Sequence, residues 1–145
     1  MKSSKRFEFL EHTADAYIVA YGTTLEEAFE NAALATFEVM TDTSKIAQTI
    51  EDSVEVEAHD EQALLYTWLE QLLINFETKG NLYSDFKISK IEKTPEGFKL
   101  KAKIRGEPYN PAKHPQKVGV KAVTYHLMEI NRKPNNASVK FILDI

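Results

Sequence analysis

The most pointed chemistry in this sequence belongs to oxygen donors near its two ends. Asp15 closes a polar island, His12-Thr13-Ala14-Asp15, set between two apolar runs at residues 7–10 and 16–21. Asp144 is the penultimate residue of Val139-Lys140-Phe141-Ile142-Leu143-Asp144-Ile145. Chain ends are usually polar and frayed, but here Val139, Phe141, Leu143 and Ile145 share one face of a strand, and that face needs burial. A packed last strand also holds the α-carboxylate of Ile145 beside the carboxylate of Asp144, and the two repel unless a cation or a donor sits between them. If Asp15 joins them, the set is all oxygen and suits a hard cation such as calcium. The plainer reading is that residues 12–15 form a turn, because Asp and Thr are ordinary turn residues. Lys121 opens the run Lys121-Ala122-Val123-Thr124-Tyr125-His126. Its ammonium is either simply solvated or a counter-charge that restrains such a cluster's affinity for cations.

Other constellations are weaker. The sequence has no Gly-Lys-Ser/Thr phosphate loop, no Gly-x-Gly-x-x-Gly, no Gly-x-Ser-x-Gly elbow and no His pair at metalloprotease spacing. Lys99, Lys101, Lys103 and Arg105 line one face of a strand. They read as a solvated face opposite Phe98, Leu100, Ala102 and Ile104 rather than as a track for RNA, because no aromatic platform accompanies them. Trp68 and Phe76 lie at helical spacing and read as core before pocket. Glu107 and His114 flank the proline-rich loop "GEPYNPAKHPQ". They could line a site, but composition favours a turn glycine with solvated neighbours.

The elements that position these residues follow from periodicity. Residues 7–10 and 16–21 read as strands, and Gly22 ends the second. Thr24-Leu25-Glu26-Glu27 reads as a capping box, and apolar residues at helical spacing then carry a helix to about Met40. Residues 54–58 alternate as a strand, with Asp60 as the N-cap of a second helix. Leu65, Trp68, Leu69, Leu72, Leu73 and Phe76 form that helix's apolar stripe, and Gly80 stands at its C-terminal end. Residues 86–91 and 98–105 read as a hairpin closed by Thr94-Pro95-Glu96-Gly97. Residues 118–130 and 139–145 read as two more strands joined through "NRKPNN". Helices early and strands late predict an α+β fold. The expectation is a single two-layer domain over residues 1–145, with two main helices packed on a mixed, largely antiparallel β-sheet.

The 145 residues suffice for one core. The lack of cysteine excludes disulfides and thiolate metal sites and fits a cytoplasmic protein. No window is apolar for long enough to cross a bilayer, and the first residues do not lead into a signal core, so no membrane partner is expected. A net charge of −4 provides no broad attraction to nucleic acid, so no strong direct binding of it is expected.

Six segments taken in order resemble the archease family. They are "EHTAD" at residues 11–15, "GTTLEEAFENAA" at 22–33, "ALLYTWLEQLL" at 63–73, "GEPYNPAKH" at 106–114, "VKAVTYH" at 120–126 and the terminal "LDI". Two positions depart from the family pattern, with Asn110 where Asp is usual and Gly119 where Glu is usual. The resemblance implies a bound calcium ion held by Asp15, Asp144 and the terminal oxygens of Ile145. Lys121 is implied to be needed nearby, and His12 to shape the turn. It also implies a non-enzymatic helper of the tRNA-splicing ligase, which joins a 2′,3′-cyclic phosphate end to a 5′-hydroxyl end in tRNA splicing and RNA repair. That ligase is guanylated from GTP at a histidine, with manganese, and the helper promotes this step and sustains turnover. Two alternatives stand beside this reading. One is a chaperone-like binding module for RNA-modifying enzymes such as a tRNA methyltransferase; the other is a metal-dependent hydrolase.

Overall fold

A computed structural model describes residues 5–10 and 15–145 of the chain. The expectation for His12 lies outside the described residues. Helix α1, Leu25–Met40, begins at Thr24, whose hydroxyl accepts the Glu27 N–H at 3.1 Å. The box closes one residue further out than the motif suggests. The Glu27 carboxylate accepts the N–H of Thr23, at 2.6 Å. Helix α2, Glu61–Lys79, is capped by Asp60, which accepts the Ala63 N–H at 2.7 Å. It ends at Gly80, whose φ of 72° is the left-handed conformation that a glycine adopts without a Cβ penalty. Leu65, Trp68, Leu69, Leu72 and Leu73 of the predicted stripe are buried, and the Trp68 indole N–H donates to the Phe29 carbonyl at 3.0 Å.

The strands are β1 Phe7–Leu10, β2 Ala16–Gly22, β3 Ile50–Ala58, β4 Asn81–Thr94, β5 Gly97–Pro108, β6 Ala122–Val123, β7 Glu129–Lys133 and β8 Asn136–Asp144. Among the described residues they form two sheets rather than one, and every pairing is antiparallel. The first sheet has the order β1-β2-β8-β6, with β7 also on β8; the second has the order β3-β5-β4. One reason that β4 recruits no further strand lies in α1. Glu30 accepts the Ile88 N–H at 2.8 Å and Glu26 the Ile91 N–H at 3.0 Å, so side chains cover the free edge. Burial raises the pKa of Glu30, against the opposing effect of that N–H.

Helix α1 packs on β2 and β8 of the first sheet and on β4 of the second. Helix α2 packs on β3 and β5 and reaches β6 and β7. One apolar cluster therefore joins both sheets, with Phe29, Phe37, Trp68, Tyr83, Leu100 and Phe141 at less than 2% exposure. The terminal segment is a central strand, flanked by β2 on one side and by β6 and β7 on the other. That position explains its apolar composition.

The run at residues 118–130 is not one strand. β6 and β7 lie along the same side of β8, interrupted by a turn from Tyr125 to Met128 closed by the Met128 N–H on the Tyr125 carbonyl at 3.1 Å. Leu127 has φ 56°, a left-handed conformation that the propensity of leucine does not announce.

Candidate metal centre

β2 and β8 bring an early and the last strand together. Ala16 pairs with Leu143 at the end of that ladder, and Asp15 and Asp144 are the next residues beyond it. On the other side of β8, Asp144 pairs with Ala122, and the Lys121 N–H donates to the Asp144 carbonyl at 2.7 Å. Asp15, Lys121, Asp144 and Ile145 thus gather at one end of the first sheet. Asp15, Asp144 and Ile145 are half-buried there, Lys121 is exposed, and the Ile145 side chain packs against the core.

The donor chemistry at this end fits a hard cation, since it offers carboxylate oxygens and no soft ligand. Among the described residues no group of three or more His, Cys, Asp or Glu side chains could hold a metal ion. Any third oxygen donor at this end would have to come from outside those side chains.

The loop between β5 and β6 delivers Lys121 to this end, and it is pinned in three places. At its start His114 is fully buried, which corrects the expectation of solvated neighbours around Gly106. His114 Nδ1 accepts the Asn110 N–H at 2.9 Å, which leaves Nε2 as the donor to Glu107 Oε2 at 2.7 Å. Glu107 also takes Lys113 at 2.7 Å and the Ala47 N–H at 2.9 Å. Lys113 foremost, then the Ala47 N–H and, against the cost of burial, His114 bring the Glu107 pKa down to about 2. In mid-loop, Lys117 binds Glu38 at 2.7 Å while the Lys117 and Val118 N–H groups take the Met40 and Val39 carbonyls at the end of α1. At the far end stands the Lys121 bond to Asp144.

Asn110, one of the two departures from the family pattern, accepts the Ala112 N–H through its side-chain oxygen at 2.9 Å. An aspartate oxygen would fill the same role. Gly119, the other, faces open space where a Cβ would be.

The basic strand face is an ion-pair ladder. Lys99 meets Glu55 at 3.1 Å and Arg105 meets Glu51 at 3.1 Å, both across the β3–β5 pairing. Acids on β3 pair with part of the face, which agrees with reading it as solvated. One feature escaped sequence reasoning altogether. Tyr66 of α2 and Tyr125 stack with ring centroids 4.5 Å apart at 4°. Helical spacing could flag Tyr66 alone, and nothing in the sequence pairs it with a residue so far along the chain.

Comparisons with known proteins agree with this architecture. The model of the Archease protein family (MTH1598/TM1083) matches residues 7–145. Protein archease of Sulfolobus acidocaldarius is 48% identical over 97% of this chain and 99% of its own length. The solution structure of Methanobacterium thermoautotrophicum protein 1598 superposes with a TM-score of 0.82 at 43% identity, covering 97% of this chain and 99% of that one. A crystal structure of an archease, possible chaperone, from Thermotoga maritima shares the fold, with a TM-score of 0.62 at 21% identity over 95% of this chain and 96% of that one. With a family model and relatives at nearly half identity spanning almost its whole length, the chain belongs to the archease protein family.

Proposed function

We propose that this protein is a non-enzymatic activator of the tRNA-splicing ligase, and that its working end is the sheet end carrying Asp15, Lys121, Asp144 and Ile145. The observation that supports this most is the pairing of β2 with β8, which joins an early and the last strand in one oxygen-rich corner. Family membership supplies the choice of ligase. A calcium ion held by Asp15, Asp144 and the terminal oxygens of Ile145 would supply a fixed positive charge at the corner. Lys121 limits how strongly the corner attracts such an ion, and the pinned loop keeps Lys121 in register with Asp144. To activate, the protein must bind the guanylation-competent state of the ligase better than its other states, because only a difference in affinity shifts an equilibrium.

The test is guanylate transfer from labelled GTP to the ligase with manganese, followed by ligation with RNA in excess over ligase. The wild type is expected to speed guanylation and turn few turnovers into many, and alone to consume no GTP. Asp15→Ala, Lys121→Ala and Asp144→Ala each lower stimulation about tenfold or more, the scale of losing one charged contact at a binding surface. Lys99→Ala and Lys103→Ala leave it unchanged. No stimulation by a well-folded wild type removes the ligase reading in favour of a chaperone-like module.

A further inference from the structure

We propose that the stacked rings of Tyr66 and Tyr125, with the exposed Leu127 of the same turn and the nearby carboxylates of Asp60 and Glu70, form a docking surface for an arginine-bearing segment of a partner protein. The inference rests on reading the chain as an activator that works by binding another protein, and it adds what that protein presents.

Tyr66 is half-buried and packs against the core, so it is the base of the stack. Tyr125 is the outer ring, 52% exposed, and one of its faces is covered by Tyr66 at 4.5 Å. Among the described residues no second ring stacks on it, and its exposed side can take a third planar group. The turn that carries Tyr125 buries Met128 and turns Leu127 outward at 47% exposure, on a left-handed backbone where Gly or Asn would be unstrained. Strain that holds an apolar side chain in water is a reason to look for function at that spot.

Charge selects the occupant. Glu70 lies one helical turn beyond Tyr66, beside its hydroxyl, and Asp60 and Glu70 both act on Tyr125. Burial first, then Tyr66 and these two carboxylates, push the Tyr125 pKa up. Carboxylates around an aromatic face repel RNA phosphates, and the whole chain carries −4. A purely apolar partner would strip water from Glu70 without pairing it, whereas Asp60 already accepts the Ala63 N–H and lies 3.3 Å from His59. An arginine satisfies both features, because its planar guanidinium stacks on the ring and its donors reach the carboxylates. The surface is continuous with the proposed working end, since Tyr125 follows Ala122, the partner of Asp144, by three residues.

The test has two arms. In the first, ring resonances of Tyr66 and Tyr125 in the full chain are followed by NMR. The titrants are acetyl-Gly-Arg-Leu-Gly-amide, the same peptide with Lys in place of Arg, and a hexauridylate RNA. The arginine peptide is expected to shift both rings saturably, and the lysine peptide to bind about 2- to 5-fold more weakly, the scale of an exposed cation–π contact. The RNA is expected to leave the rings unmoved. Tyr125→Ala and Glu70→Gln weaken the peptide response, and Tyr125→Phe retains it. No saturable shift, equal response to lysine, or preference for the RNA overturns the proposal. In the second arm, ligase affinity is measured for the wild type and for Tyr125→Ala, whose half-exposed position spares the core. Loss of at least about tenfold supports docking, the size of effect a central anchor carries. Equal affinity overturns it and leaves the ligase reading intact. A wild type that ignores the ligase sinks that reading alone, and the peptide arm decides the docking surface.

Discussion

At Glu107 a lysine, a backbone N–H and a buried histidine converge on one carboxylate and lower its pKa to about 2. A carboxyl whose pKa falls on folding stabilises the protein above its unfolded pKa, near 4.3, and that contribution is lost as pH falls through the folded value. Stability is therefore expected to decline between about pH 4.3 and pH 2 in urea melts of the wild type, with part of the slope due to Glu107. Glu107→Gln lowers stability at pH 7 and flattens that part of the acid slope. An unchanged slope in the variant would show that other carboxylates account for the decline. The residue types of this anchor were visible in "GEPYNPAKH", but its burial was not. Two prolines and a lysine read as solvent, and only the bonds to Asn110 and Glu107 and the contact with Tyr109 fix His114 inward.

Two glycines separate the demands of conformation and space at the scale of elements. Gly80 ends α2 in the left-handed region, with nothing near the position of a Cβ. Gly106 has no such φ, but a Cβ there would overlap the Leu82 carbonyl oxygen where β5 runs against β4. Gly80→Ala is expected to cost roughly 1 kcal/mol, the penalty of a left-handed alanine. Gly106→Ala is expected to cost about 3 kcal/mol, because backbone rather than a flexible side chain must move. Denaturant melts of the two variants check the order, and a reversed ranking would place the close approach elsewhere. The helix caps were legible at this scale, since Thr24, Asp60 and Gly80 act through bonds to their near neighbours. The division of residues 118–130 into β6, a turn and β7 was not legible, because the path is set by the groups of β8 and not by local propensity. Thr124 shows this directly, giving both its N–H and its hydroxyl to the Ile142 carbonyl, at 3.2 and 2.9 Å.

The molecule as a whole is a clasp in which the last strand lies between segments from the start and the late middle of the chain. A cation bound at the clasp stabilises the fold by mass action, by about 2.7 kcal/mol at a hundredfold excess over Kd. Calcium is expected to raise the melting temperature of the wild type, and Asp15→Ala or Asp144→Ala to abolish the rise. Isothermal calorimetry showing equal calcium binding in all three proteins would refute the site. An extension after Ile145 converts the terminal carboxylate to an amide, so a C-terminal tag is expected to weaken calcium binding and ligase stimulation where an N-terminal tag does not. Indistinguishable affinities for the two tagged forms would remove Ile145 from the ligand set.

Helix limits, caps, the α+β class and the burial of the terminal strand were determined by the sequence itself, through interactions that span a few residues. Periodicity and capping act within about one turn or one strand, so they can be read along the chain. The tertiary structure alone decided the split into two sheets, the pairing of β2 with β8 that carries Asp15 and Asp144 to the same end, the inward turn of His114 and the Tyr66–Tyr125 stack. Each of these depends on which strand edges are already covered and which register hydrogen bonding selects between distant segments. The edge of β4 closed by Glu26 and Glu30, and Ala16 set against Leu143, are choices that no local pattern encodes.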